Sequence, residues 1–152
     1  MGHNSDLDTN NSANVKKILG LLSRAEKNFL HSLKKAVGKE TVIFSKVAIN
    51  DALLKQEVAT DFKASDYGDK LFDFLIYDET QSFIVCAIEL DDRSHSKQKF
   101  HPEQSYQALC DDAAIPLMEI PARCGYDIAA LRSEVFNYLQ LKHQNQLFGV
   151  KA

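Results

Sequence analysis

The sequence predicts an α/β or α+β sandwich, with a central mixed β-sheet flanked by helices. Two observations carry that expectation. Leu71–Tyr77 and Phe83–Leu90 are strongly apolar runs joined by the polar loop Asp78–Ser82, which is a hairpin signature. On either side, apolar residues recur at helical spacing, so the element order becomes helix, strand, hairpin, helix, strand, helix.

Each element has a local reason. Residues 1–14 are rich in Asn, Asp and Ser and are expected to form a flexible polar tail. One domain is expected over 15–145, with 146–152 as a C-terminal tail. Ser23 and Glu26 form a capping box, and Phe29, Leu30, Leu33 and Val37 follow on one helical face until Gly38 stops the helix. Thr41–Ile49 alternates as a strand does, and Asn50 or Asp51 caps a short helix through Leu54. Residues 57–69 carry few apolar groups and are expected to be an exposed loop. Beyond the hairpin, 92–102 is polar and basic, 103–114 fits a helix, and Ile115–Ile120 a short strand. Asp127 caps a last helix that holds Ile128, Leu131, Val135, Phe136, Leu139 and Leu141.

Composition excludes several classes. With 152 residues, 45% apolar and 26% charged, the chain suits one globular domain, burying roughly 70% of its unfolded surface. No apolar run is long enough to span a bilayer, and the polar start is not a secretory signal, so no membrane partner is expected. Cys86, Cys110 and Cys124 are widely spaced and odd in number, and point to reduced thiols in a cytoplasmic protein. A net charge of −3 does not advertise a nucleic-acid binder, although a local basic strip can sit on an acidic protein. No P-loop, dinucleotide fingerprint, nucleophile elbow or zinc motif occurs. Oligomeric state is left open.

The hairpin carries the chemistry. Asp73 interrupts an apolar strand, where an ionised carboxylate needs partners. Glu89 and Asp91 share a face with Ala87 at the end of the next strand. If the loop sets Tyr77 opposite Phe83, Asp73 falls opposite Ala87 and diagonal to Glu89, with roughly 7 Å between Cα atoms. A slip of one residue would separate the two carboxylates. Converging carboxylates repel one another, and Mg²⁺ or Mn²⁺ with all-oxygen ligands would relieve that. The competing expectation is that Asp73 pairs with a Lys or Arg while Glu89 and Asp91 are solvated at a strand end.

The segment Ile88-Glu89-Leu90-Asp91-Asp92-Arg93-Ser94-His95 resembles the I-E-L-D-D/G-x-x-H pattern of the bacterial family called domain of unknown function 2726. It is also similar to the very-short-patch-repair-like endonucleases of the restriction-endonuclease-like superfamily. Leu21–Glu26 with Phe29, Phe44–Val47, Lys70–Phe74 and Ala113–Leu117 resemble further family segments in the same order, over about residues 21–135. The resemblance implies a restriction-endonuclease-like sandwich and metal-dependent cleavage of DNA phosphodiester bonds. It implies Asp73 and Glu89 as metal ligands, joined by Glu26 from the first helix. Asp91 stands where related nucleases carry lysine, and Lys70 or His95 would have to supply what it cannot. His95 would position water. Arg93, Lys97 and Lys99 beside the motif form a candidate phosphate-binding patch. The chain departs from its relatives at Pro102-Glu103 and Glu119, where they tend to carry phosphate-binding arginines. The alternative function is a weak or inactive nuclease-fold module that binds nucleic acid or a protein partner.

Overall fold

A computed structural model describes residues 21–54, 70–91, 107, 110–111 and 114–147. Its elements are α1 (Arg24–Ala36), β1 (Thr41–Ala48), α2 (Ile49–Leu54), β2 (Leu71–Asp78), β3 (Phe83–Asp91), β4 (Leu117–Pro121) and α3 (Ile128–Leu147). The tail at 1–14, the loop at 57–69 and the basic stretch at 92–102 lie outside the described residues, as does 148–152; of the expected tail at 146–152, Gln146 and Leu147 instead continue α3. Of the expected helix at 103–114, Gln107, Cys110 and Asp111 are helical, whereas Ala114 is a turn residue with φ 52°, so the helix ends before it.

The four strands form one mixed sheet in the order β1-β2-β3-β4. β1, β2 and β3 pair antiparallel, and β4 joins β3 in parallel. A parallel neighbour needs a long crossover, which the chain between β3 and β4 provides. Both faces of the sheet are covered, which explains the nearly continuous apolar sequences of β2 and β3. One face packs Phe74, Ile76, Val85 and Ile88 against Phe29 and Leu33 of α1 and Leu131 and Val135 of α3. The other packs Phe72, Leu75, Ile84 and Ala87 against Ile49 and Ala52 of α2, with Cys110 and Ile115. Among the described residues, no helix is long and apolar enough to cross a membrane.

The local signals at the helix starts hold. Ser23 caps α1 in a complete capping box: its Oγ accepts from the Glu26 N–H, and Glu26 Oε2 accepts from the Ser23 N–H. Asp127 Oδ1 accepts from the N–H groups of Ala129 and Ala130 and so caps α3. The helix end differs from expectation. α1 stops at Ala36 because Val37 is extended (φ −78°, ψ 155°), before Gly38 is reached. The guanidinium of Arg132 on α3 donates to the carbonyls of Lys35 and Ala36, so a distant side chain caps the open end. The last strand begins at Leu117, two residues later than its pattern suggests.

The thiols follow from this packing. Cys86 and Cys110 are buried, and Cys124 is exposed. Burial pushes the Cys86 thiol well up; burial, with the charges of Glu89 and Asp111 adding to it, pushes Cys110 up to about 12. Titration of the native protein with an aromatic disulfide at neutral pH is therefore expected to modify Cys124 quickly. The other two should react only on unfolding; fast modification of all three would contradict the packing.

Candidate functional site

The site lies where the sheet's regular ladder gives way. The β2–β3 ladder includes Asp78↔Phe83 and Tyr77↔Ile84, then shifts to Ile76↔Cys86, Leu75↔Ala87 and Phe74↔Ile88. Val85 is thus an extra residue on β3, a β-bulge, and both Val85 and Cys86 pack on the α1 side of the sheet. The expected pairing of Tyr77 with Phe83 is corrected by this register. One step beyond Phe74↔Ile88, Asp73 comes level with Glu89 itself rather than with Ala87.

At that rung the backbone ladder is replaced by side chains. The Asp73 N–H donates to Glu89 Oε1 at 3.3 Å, and the Leu90 N–H donates to Asp73 Oδ2 at 2.9 Å. The two carboxylates therefore hold the strands together where the main chains no longer pair. Asp91, two residues on, closes β3 beside Pro121, and its carbonyl accepts from the Ala122 N–H.

β1 contributes a residue to which the sequence patterns gave no role. Lys46 stands opposite Asp73, between the pairs Ser45↔Phe74 and Val47↔Phe72. Its backbone is left-handed, with φ 56°. That conformation costs a non-glycine residue about 1–2 kcal/mol. Face alternation slips here in both strands. Ile43 and Val47 should share a face but pack on opposite sides of the sheet, and so do Phe74 and Phe72. Lys46 Nζ donates to Asp73 Oδ1 at 2.7 Å and also to Glu26 Oε1. The three side chains are largely buried, with relative exposures of 23% for Lys46, 12% for Glu26 and 17% for Asp73. The expectation that Asp73 pairs with a Lys or Arg is met by Lys46, inside the Phe44–Val47 segment but assigned no role there.

Glu26 thus has two tasks. One oxygen completes the capping box of α1 and the other accepts from Lys46. Burial pushes its carboxyl up, but hydrogen bonds from Lys46 and Ser23, the Lys46 charge and a hydrogen bond with Asp73 outweigh it and hold it below its ordinary value. Burial likewise works against the Lys46 ammonium, yet its hydrogen bonds and charge attraction to Asp73 and Glu26 raise it above the usual lysine value. The signs give a window. The lowered Glu26 contributes stability above its unfolded value of about 4.5, lost as pH falls through the folded one. The raised Lys46 contributes below its unfolded value of about 10.5, lost as pH rises through the folded one. The melting temperature of wild type should therefore exceed that of Glu26→Gln between these limits, and the gap should close in acid. A gap that stays constant down to pH 2 would contradict the ion pairing.

Lys70 immediately precedes β2, where its carbonyl accepts from the Ile49 N–H. His95, Arg93, Lys97 and Lys99 lie outside the described residues. The donor chemistry at the rung, carboxylate oxygens from Asp73, Glu89 and Glu26, is the kind a hard divalent ion takes. As arranged, Lys46 is the cation between Glu26 and Asp73, and among the described residues no three His, Cys, Asp or Glu side chains are placed to hold a metal ion. Among the described residues the donors fit such an ion by type but not by position.

The family model described as protein of unknown function, DUF2726, matches residues 18–138. No curated protein and no solved structure matches the chain. The chain belongs to the DUF2726 family.

Proposed function

From that family membership and the geometry of the rung, we propose that this protein is a divalent-metal-dependent nuclease of the restriction-endonuclease-like superfamily that hydrolyses DNA phosphodiester bonds. One observation carries the reading. Asp73 and Glu89 meet on adjacent strands where the ladder opens, and a lysine from β1 stands beside them. Acidic oxygens next to a positive group are what phosphodiester hydrolysis needs: ligands for a hard cation and a partner for phosphate charge. Lys46 supplies the ammonium that Asp91 cannot.

In this reading Asp73 and Glu89 hold Mg²⁺ or Mn²⁺, with Glu26 joining them. The ion would neutralise phosphate charge and make an attacking water more acidic. Asp91 would stand with these carboxylates around the ion, His95 would position that water, and Lys70 is, with Lys46, a candidate for the phosphate. Arg93, Lys97 and Lys99 give the acidic chain a local basic strip for the nucleic-acid backbone.

A second reading, a module on the same fold that binds nucleic acid or a protein without turnover, is favoured by one observation: Lys46 already neutralises Glu26 and Asp73. Incubating plasmid and single-stranded DNA with Mn²⁺ or Mg²⁺ separates the two. Cutting abolished by EDTA and by the Asp73→Ala/Glu89→Ala pair is the expected result. Absence of cutting by folded protein at high concentration would sink the nuclease reading and favour the second.

A further inference from the structure

We propose that the loop of residues 122–126, with the side of α1 beside it, binds the phosphate backbone of nucleic acid, and that Arg123 is its principal phosphate ligand. This surface rests on the nuclease reading above and gives the substrate a track beside the acidic rung. Strand pairing puts the loop there. β4 runs parallel to β3, with Glu119 level with Glu89 and Pro121 level with Asp91. The Ala122 N–H then donates to the Asp91 carbonyl at 3.1 Å, so the chain leaves the sheet just past the strand end that carries Glu89. From that point the loop is held in three ways. Asn28 Nδ2, two residues along α1 from Glu26, donates to the Cys124 carbonyl at 2.7 Å. The Arg123 N–H donates to the Tyr126 hydroxyl at 3.0 Å. The Tyr126 ring meets Phe29 edge-on, with centroids 5.0 Å apart. A loop tied in this way presents its side chains with little ordering left to do on binding.

The side chains on this surface are cationic and uncommitted. Arg123 and Cys124 are exposed in the loop. Arg24 and Asn28, one turn apart, share a side of α1, and Lys27 stands next to them. Arg24 and Lys27 are exposed as well. Among the described residues, none of Arg24, Lys27 and Arg123 is held by a carboxylate. On a chain of net charge −3, three unpaired cations around one anchored loop are complementary to a polyanion. Arginine in particular offers a planar fork of donors that matches phosphate oxygens. A strand of nucleic acid bound at Arg123 would pass beside Asp91 and the rung that carries Glu89.

The test is binding of fluorescent single- and double-stranded DNA by the full chain, in EDTA and again with Ca²⁺, so that no cleavage is needed. Arg123→Gln is expected to weaken binding roughly fivefold at about 0.15 M salt and to reduce the salt slope by about one, the signature of one lost phosphate contact. The pair Arg24→Gln/Lys27→Gln should weaken it too. Lys39→Gln, at the far end of the sheet where Thr41 pairs with Asp78, should bind as wild type does. Thermal melting checks that each variant is folded. Cys124 gives an independent readout: saturating DNA should slow modification of this exposed thiol several-fold. Equal binding by wild type and Arg123→Gln, or a Cys124 that reacts as fast with DNA as without it, would overturn this surface and leave the nuclease reading to the cutting assay. An equal loss in Lys39→Gln would overturn it as well, by showing a general charge effect. No DNA binding by folded protein in either condition would overturn both the surface and the nuclease reading.

Discussion

Replacing Phe29 with alanine is expected to destabilise the protein by about 3–5 kcal/mol, the range for truncating a large buried aromatic side chain. Phe29 is fully buried on α1, with its ring 5.5 Å from that of Phe74 and 5.0 Å from that of Tyr126. It therefore joins the first helix to β2 and to the segment that leads into α3. The cavity would open beneath the turn that carries Glu26, so the loss should also loosen that carboxylate. Urea unfolding measures the cost, and Phe136→Ala is the control. Phe136 is 54% exposed on α3, and its truncation should change stability by no more than about 0.5 kcal/mol. Equal costs for the two variants would contradict the packing.

Asp73→Ala is expected to cost about 2–3 kcal/mol, because it removes hydrogen bonds that involve a charged group and leaves their partners behind. The Leu90 N–H loses its acceptor at a rung with no backbone alternative, and Lys46 keeps only Glu26 of its two carboxylate partners. Asp73→Asn should recover part of the loss, since the amide oxygen can still accept from Leu90. The ordering wild type, Asn, Ala by urea unfolding is the signature. An alanine variant as stable as wild type would show that the rung does not hold the strands together.

What could be foreseen was local. The Ser23–Glu26 box and the Asp127 cap are patterns within a few residues, and each formed where its chemistry placed it; the hairpin formed too, with Asp78 drawn from the loop into β2 to pair with Phe83. The mixed sheet followed from the order of elements, since a strand after a long crossover can return parallel. Lys46 escaped notice for a physical reason. Its partnership with Asp73 depends on the β1–β2 register, a non-local quantity, and no glycine marks the left-handed residue. The bulge at Val85 was equally silent, because Phe83–Ile88 is apolar and buried throughout, so no polar residue marks the shift. By its local pattern Glu26 showed as a cap, and the resemblance set it beside Asp73 as a metal ligand; its partner, Lys46, needed α1 packed over the sheet.

The bulge has a consequence for how β3 can change its length. In a regular strand, losing one residue reverses the facing of everything beyond it, because side chains alternate. Here the strand carries one residue of slack. If Val85 itself were lost, Ile76↔Cys86 and every pair after it would stand unchanged. If Ala87 were lost instead, the bulge could flatten and take up the difference, leaving Glu89 level with Asp73. An added residue finds no such reserve. The strand that carries Glu89 can thus be shortened by one without moving that carboxylate off its rung, but it cannot be lengthened.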